Sequence, residues 1–303
     1  MASIALATAV AHMDKDHDLA PLVEACRGVR LQASVLAWDD PTVSWGRFDA
    51  VLVRSPWDYT ERHVEFIEWC LRVDRQSLLL NPLPVLRWNT DKHYLRDLAL
   101  VGVPVIETEF VEPDADPLPA LHAFLEGSGA PEFVVKPTIG AGARDTQRYR
   151  RDQEFSASNH IARLLDQERG VMLQPYLPAV DEDGETALLF FDGDFSHAIR
   201  KAPLLTAGAD GSRPELQAGE PGISPRPPAA DELALAERAL RAAASLLQLD
   251  RPLPYARVDL LRDPAGAPRL LEMELVEPSL FFAHGPGSAE RFAACLARRL
   301  NLP

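Results

Sequence analysis

Three carboxylates near the C-terminal end carry the clearest chemistry. Asp259 lies in Arg257-Val258-Asp259, and Glu272 and Glu274 lie two apart in Leu271-Glu272-Met273-Glu274. Both runs have strand character, and residues two apart on a strand share a face. The turn Asp263-Pro264-Ala265-Gly266 predicts a hairpin that sets Asp259 beside the glutamates. Like charges on one patch repel strongly at low dielectric, and a hard cation such as Mg²⁺ relieves them while leaving room for phosphate oxygens. The competing reading is an alternating strand with a solvated acidic face.

A second signal is basic. The apolar run Val134-Val135 delivers Lys136 to a loop, Pro137-Thr138-Ile139-Gly140-Ala141-Gly142-Ala143. Gly140 and Gly142 permit close backbone approach, loop N–H groups can cradle an anion, and the lysine adds a point charge. The GK[ST] ending of a Walker motif is missing, and an ordinary turn after a strand is the bland alternative. Lys92, in Asp91-Lys92 at a helix start, opposes the helix dipole and needs an anion or solvent. Val171-Met172-Leu173-Gln174-Pro175-Tyr176-Leu177 is a buried strand stopped by proline, whose freed backbone groups could meet the edge of a base.

Taken in order, these features resemble the ATP-grasp superfamily over about residues 89–303. The resemblance implies that Lys92 and Lys136 contact phosphates and the nucleobase side, with Gly140 and Gly142 in the loop above. It assigns the adenine contacts to Gln174, Tyr176 and Leu177, and the ribose to Glu185. Lys201 would reach the phosphates, Arg257 would steady the transferring phosphoryl group, and Asp259, Glu272 and Glu274 would bind one or two Mg²⁺, with Mn²⁺ as a substitute. Two positions depart from the pattern: Glu274 replaces a usual Asn, leaving its role less secure, and Gln174 replaces a frequent Glu. Arg54-Ser55-Pro56-Trp57-Asp58-Tyr59 and Glu272–Ser279 look like the glutathione-synthetase-like branch. There Arg54 could pair a substrate carboxylate and Asp58 an ammonium, with Ser55 and Ser279 as further substrate contacts; a β-turn holding a buried Trp is the alternative.

Activation of a substrate carboxylate as an acyl phosphate is what the resemblance implies. Within the branch the chain is similar to cyclo-ligases that close an amino-acid-like substrate into a ring. One alternative is a ligase joining a carboxylic acid to an external amino-acid amine. Another is a nucleotide-binding regulatory protein without catalysis, against which the intact Lys, Arg and acidic set argues.

Positioning these residues takes an α/β and α+β architecture: an N-terminal α/β domain over 1–87, a central subdomain with a lid over 88–176, and a C-terminal α+β subdomain with the metal site over 177–303. Strands are expected at 3–11, Leu31–Leu36, Ala50–Val53 and Ser77–Leu80, with helices between them, the first capped by Asp18. A strand should begin at Val103-Pro104-Val105-Ile106, and Asp192-Gly193-Asp194 should turn a hairpin. The lid candidates are the Gly loop 139–143 and the Gly/Pro-rich segment 203–229. His12, Asp14, Asp16 and His17 follow the first strand without rigid metal-ligand spacing; they are read as non-ligating and could line the substrate pocket.

The formal net charge of −14 disfavours nucleic acid and anionic membrane as partners; the resemblance implies a small amino-acid-like substrate. A homo-oligomer is compatible with the composition. Three scattered cysteines, Cys26, Cys70 and Cys295, predict buried thiols and a reducing cytoplasm rather than a disulfide framework. The apolar N-terminal run is short, lacks a basic flank and reads as a strand.

Overall fold

The computed structural model describes residues 1–205 and 222–301. Strands β1 (Ser3–Thr8), β2 (Gln32–Ala37), β3 (Ala50–Ser55) and β4 (Leu78–Leu80) form a parallel sheet of order β2-β1-β3-β4. Parallel strands need cover on both faces, and the apolar runs of β1 and β3 reflect that. On one side Trp38, Trp45, Phe66 and Trp69 interlock, Phe66 and Trp69 coming from α2 (His63–Asp74). On the other, α1 (Leu19–Gly28) packs against the chain's last helix, and Leu6 and Leu52 share a core with Tyr255, Phe281 and Phe292.

Next come helices α3 (Leu83–Asn89) and α4 (Tyr94–Leu100). An antiparallel sheet of order β5-β8-β6-β7 follows, built from β5 (Glu109–Val111), β6 (Glu132–Pro137), β7 (Gln147–Arg150) and β8 (Val171–Pro175). It is backed by α5 (Pro117–Ser128), which Asp116 caps, and by α6 (Glu154–Leu165). After α7 (Ala179–Asp183), strands β9 (Glu185–Phe191), β10 (Asp194–Lys201), β11 (Ile223–Pro225), β12 (Tyr255–Arg262) and β13 (Pro268–Glu274) form a second antiparallel sheet, order β11-β10-β9-β12-β13. Helices α8 (Ala230–Leu246) and α9 (Ser288–Arg299) cover its two faces. The β9–β10 turn has Asp192 at φ 56° and Gly193 at φ 87°, the left-handed pair that a two-residue hairpin requires.

Four expectations change. Strand β1 stops at Thr8, and Val10–His12 is a 3₁₀ turn. The strand expected from Val103 reduces to one parallel bridge, Val105 to Leu270, because Pro104 has no N–H to extend the ladder. Asp18 makes no capping bond to α1; its carboxylate serves a distant turn instead. Of the 203–229 segment, 206–221 lies outside the described residues, and Ile223–Pro225 is a strand. All three cysteines are free and buried, as expected. No helix among the described residues is long and apolar enough to cross a membrane.

β13 is an edge strand; apart from the bridge at Leu270, its outer polar groups at Met273 and the following Leu275 meet side chains. Asn89 Nδ2 donates to Met273 O and Asn89 Oδ1 accepts from Leu275 N, both at 2.7 Å, while Tyr94 Oη accepts from Met273 N at 2.8 Å. Asn89→Ala leaves two buried backbone groups unpaired and should lower unfolding free energy by about 2–4 kcal/mol, read from denaturant titration; an unchanged midpoint would remove Asn89 from the strand's support.

Candidate active site

One cleft runs between the two antiparallel sheets, and β12–β13 form one of its walls. In their register Arg257 faces Glu274 and Asp259 faces Glu272. Cross-strand partners point to the same side, so all four side chains share one face. All four line the cleft together with Lys136. The hairpin expected from the sequence thus sets Asp259, Glu272 and Glu274 on one face.

The charges interleave. Arg257, fully buried, donates from Nη2 to Asp259 Oδ2 at 3.0 Å, pairs with Glu274, and donates from Nη1 to Ser279 O at 3.3 Å. Lys201, at the end of β10, pairs with Glu185 and lies 2.9 Å from Asp259 Oδ2. Lys92 Nζ sits 2.9 Å from Glu272 Oε1 and donates to Gly140 O at 2.7 Å, tying the Gly loop to the acidic wall. Burial alone would raise the Asp259 and Glu272 pKa values; Arg257 and Lys201 hold Asp259 below the ordinary range, and Lys92 and Lys136 do the same for Glu272. Burial pushes the Glu185 carboxyl up despite Lys201.

Lys136 differs. Burial brings its ammonium down to about 8, Glu272 offsetting only part of this and Lys92 adding repulsion. Among the described residues no carboxylate forms an ion pair with it. A desolvated cation without a close counter-ion suits an incoming anion. The loop beyond it bends through Gly142 at φ 64°, and Arg144 on that loop pairs with Glu61 before α2.

At the other end the cleft is apolar. Ile106, Leu177 and Leu261 pack together with Val180 and Leu271. The β12–β13 register slips after Asp259, so Leu271 is an extra residue between the partners of Asp259 and Leu260. Such a bulge turns Leu271 to the same side as Glu272. Gln174 is anchored by Nε2 to Thr108 Oγ1 at 2.8 Å, and Tyr176 Oη donates to Asp181 Oδ1 at 2.6 Å beneath the Arg148 guanidinium.

Of the expected nucleotide and metal residues, Lys92, Lys136, Gly140, Gly142, Gln174, Tyr176, Leu177, Glu185, Lys201, Arg257, Asp259, Glu272 and Glu274 all line this cleft. The four expected substrate contacts are not among the residues lining it. Arg54 is fully buried, 3.4 Å from Asp16 Oδ2; Ser55 donates to Thr8 Oγ1; Asp58 accepts from Trp38 and Arg62; Ser279 offers its carbonyl to Arg257. Their neighbours Trp57 and Tyr59, on the 3₁₀ turn Trp57–Thr60, and Glu277 after β13 reach the cleft instead. Ile106, Leu261 and Leu271 also line it and were missed, since apolar residues carry no signal separating a pocket wall from core.

No group of three or more His, Cys, Asp and Glu side chains gathers around a metal-sized point among the described residues. The reason is the pairing just described: each carboxylate of the wall is turned to a base. A nucleotide-bound Mg²⁺ takes only one or two protein carboxylates beside phosphates and water. The hard oxygens of Asp259 and Glu272, cross-strand neighbours at the cleft surface, fit that demand.

Two antiparallel sheets closing on such a cleft, a lysine–glycine loop on one and an acidic hairpin on the other, define an ATP-dependent ligase of the ATP-grasp superfamily. Comparisons sharpen this. Residues 4–81 match the family described as D-cycloserine synthetase DcsG, N-terminal domain. The cycloserine biosynthesis protein DcsG of Streptomyces lavendulae is 46% identical over 302 residues, spanning 99% of this chain and 100% of that protein. The chain belongs to the D-cycloserine synthetase family. The crystal structure of D-cycloserine synthetase DcsG superposes with a TM-score of 0.94 at 46% identity, covering 98% of this chain and 99% of that one. A structure of the ATP-grasp ligase PsnB with a phosphomimetic variant of minimal precursor, Mg and ADP shares the fold, with a TM-score of 0.65 at 17% identity over 99% of both chains.

The Lys136 environment yields a pH signature. Phosphate binding favours the protonated amine, and in the free protein that proton is lost above about 8. ATP affinity, measured calorimetrically from neutral to alkaline pH, should therefore fall as pH rises through this value, approaching about tenfold per pH unit. Lys136→Met should bind ATP more weakly and lose this dependence; a variant retaining the wild-type profile would clear Lys136 of phosphate contact.

Proposed function

We propose that this chain converts O-ureido-D-serine to D-cycloserine by ATP-dependent cyclisation. The observation that carries the reading is whole-length similarity, at 46% identity, to a protein named for cycloserine biosynthesis. The cleft supports it, because cationic and acidic groups lie where a triphosphate and a carboxylate can meet.

In this reading Ile106, Leu177, Leu261 and Leu271 enclose the adenine, the backbone of Gln174 to Leu177 meets its edge, and Glu185 holds the ribose. Lys92, Lys136 and the Gly loop take the phosphates. Mg²⁺, held by Asp259 and Glu272 with Glu274 as the less secure ligand, supplies charge neutralisation on the phosphates when bound. The substrate carboxylate attacks the γ-phosphorus, ADP leaves, and Lys201 and Arg257 steady the transferring group. The ureido nitrogen bonded to oxygen then attacks the acyl phosphate carbon. It loses its proton, phosphate leaves with the former carboxylate oxygen, and a five-membered ring closes. Ring closure is intramolecular and gains effective molarity. Water then removes the carbamoyl group as CO₂ and ammonia. An acyl phosphate must be kept from water, and the Gly loop 139–143, tethered through Arg144 to Glu61, is suited to that. The domains 1–87, 88–176 and 177–303 each contain one sheet, which supports a substrate domain followed by two nucleotide-binding halves.

Incubation with ATP, Mg²⁺ and O-ureido-D-serine should release ADP and yield the isoxazolidinone by mass spectrometry without added amino acids. Absence of ADP would overturn the substrate, and dependence on an external amine would favour intermolecular ligation. Glu272→Gln should reduce ADP release at saturating Mg²⁺ by about 100-fold or more, the scale of losing a preorganised electrostatic contact; wild-type turnover would remove Glu272 from the site.

A further inference from the structure

Asp18 belongs to the N-terminal sheet domain, yet its carboxylate serves a turn more than 260 residues away. Oδ2 accepts from Leu280 N at 2.6 Å and Phe281 N at 3.1 Å, and Oδ1 accepts from Phe282 N at 3.0 Å. Three consecutive N–H groups converge because Phe281 adopts φ 51°, a left-handed conformation that a large side chain avoids unless held. The carboxylate is 2% exposed, with Arg54 Nη2 4.0 Å away as its charge partner and Asp16 on the same guanidinium. A buried carboxylate bonded to three amides is a rigid clamp.

The clamped turn bears directly on Arg257. Ser279 O, one residue before the clamp, accepts from Arg257 Nη1 at 3.3 Å, and the Phe281 ring centroid lies 5.6 Å from the guanidinium carbon. Two further bonds hold the same segment from other elements: Trp57 Nε1 donates to Glu277 O at 3.1 Å, and His197 Nε2 meets Leu280 O at 2.9 Å. Asp259 and Glu274 fix one side of the guanidinium, and the 279–281 turn fixes the other.

We infer that Asp18 is a positioning residue: by clamping the 280–282 turn it sets the orientation of the Arg257 guanidinium toward the transferring phosphoryl group. The inference rests on the proposed role of Arg257 and extends it to a residue of another domain. A purely structural Asp18 would affect stability and leave turnover of the folded enzyme unchanged. A positioning Asp18 lowers kcat with little effect on nucleotide binding, because misplacement of about 1 Å at a reacting group can cost 100-fold.

The test compares wild type with the isosteric D18N, with D18A, and with L22A, which removes buried bulk from the core that the turn shares but keeps the Asp18 carboxylate. Expected for folded D18N is a fall in kcat for ADP release of about 10- to 100-fold, with ATP affinity within about twofold of wild type. D18A should fall further. L22A should keep its kcat although its melting temperature drops. A folded D18N with wild-type kcat overturns the proposal, as does an L22A that loses kcat in parallel. Should wild type release no ADP with O-ureido-D-serine, the substrate reading fails, and the crystal structure of D18N decides about Asp18. A guanidinium shifted away from Asp259 supports the clamp, and an unmoved one overturns it.

Discussion

The buried ion-pair lattice on the β12–β13 face is the constraint that the rest of the molecule serves. Among the described residues, five basic and five acidic side chains line the cleft: Lys92, Lys136, Arg144, Lys201 and Arg257 against Glu185, Asp259, Glu272, Glu274 and Glu277. At an effective dielectric near 20, charges 4 Å apart interact by about 4 kcal/mol, so a misplaced member is felt by several neighbours. Removing one partner of a buried pair leaves an uncompensated charge and is strongly destabilising. A balanced cleft also has a consequence for binding. A triphosphate brings several negative charges to a wall whose described charges are already balanced, and cations arriving with it would offset them. That is a physical reason for a divalent metal to arrive with the nucleotide rather than to sit in a preformed cage.

The surrounding architecture holds the lattice still. β12 lies inside its sheet, between β9 and β13, which leaves Arg257 and Asp259 little backbone freedom. β13 is at the edge and would be the soft member. Asn89 and Tyr94, from the stretch linking the N-terminal domain to the rest, satisfy its outer groups, and the bridge at Val105 extends this toward the turn. The same stretch delivers Lys92 to Glu272. One connecting segment thus both seals an edge and supplies a cation, which couples the placement of the N-terminal sheet to that of the acidic wall.

The sequence revealed those parts whose signal is local. Period-two alternation around Asp259 and Glu272, the Asp-Gly turn at Asp192-Gly193, and the strand–lysine–glycine run at Lys136 each announce an element and its functional side chain together. β7 and β11 stayed hidden because Gln147–Arg150 and Ile223–Pro225 are short edge strands, the first largely polar and the second ended by proline, whose pairing is set by a neighbour. Tertiary contacts also supplied partners that local inference did not name. Asp18 has the residue type of a helix cap but its carboxylate is drawn to distant amides, and Arg54 on β3 lies beside Asp16. Charge type was legible in both; the partner was not, because in each case it is brought close only by the fold.

A single extra residue divides the hairpin wall into two chemical halves. Up to Asp259 and Glu272 the cleft face is charged; beyond the bulge at Leu271 it is Leu261, Leu271 and their apolar neighbours. Regular alternation would have put Leu271 on the opposite face from Glu272 and brought Leu270 to the cleft in its place. With the bulge, an apolar side chain stands next to a carboxylate on the same face. A nucleotide presents this same succession, a flat apolar base at one end and phosphates at the other. The register slip lies at the boundary between these halves: it sets Leu271 beside Glu272 on the cleft face and keeps Leu270 with Leu260 in the core behind.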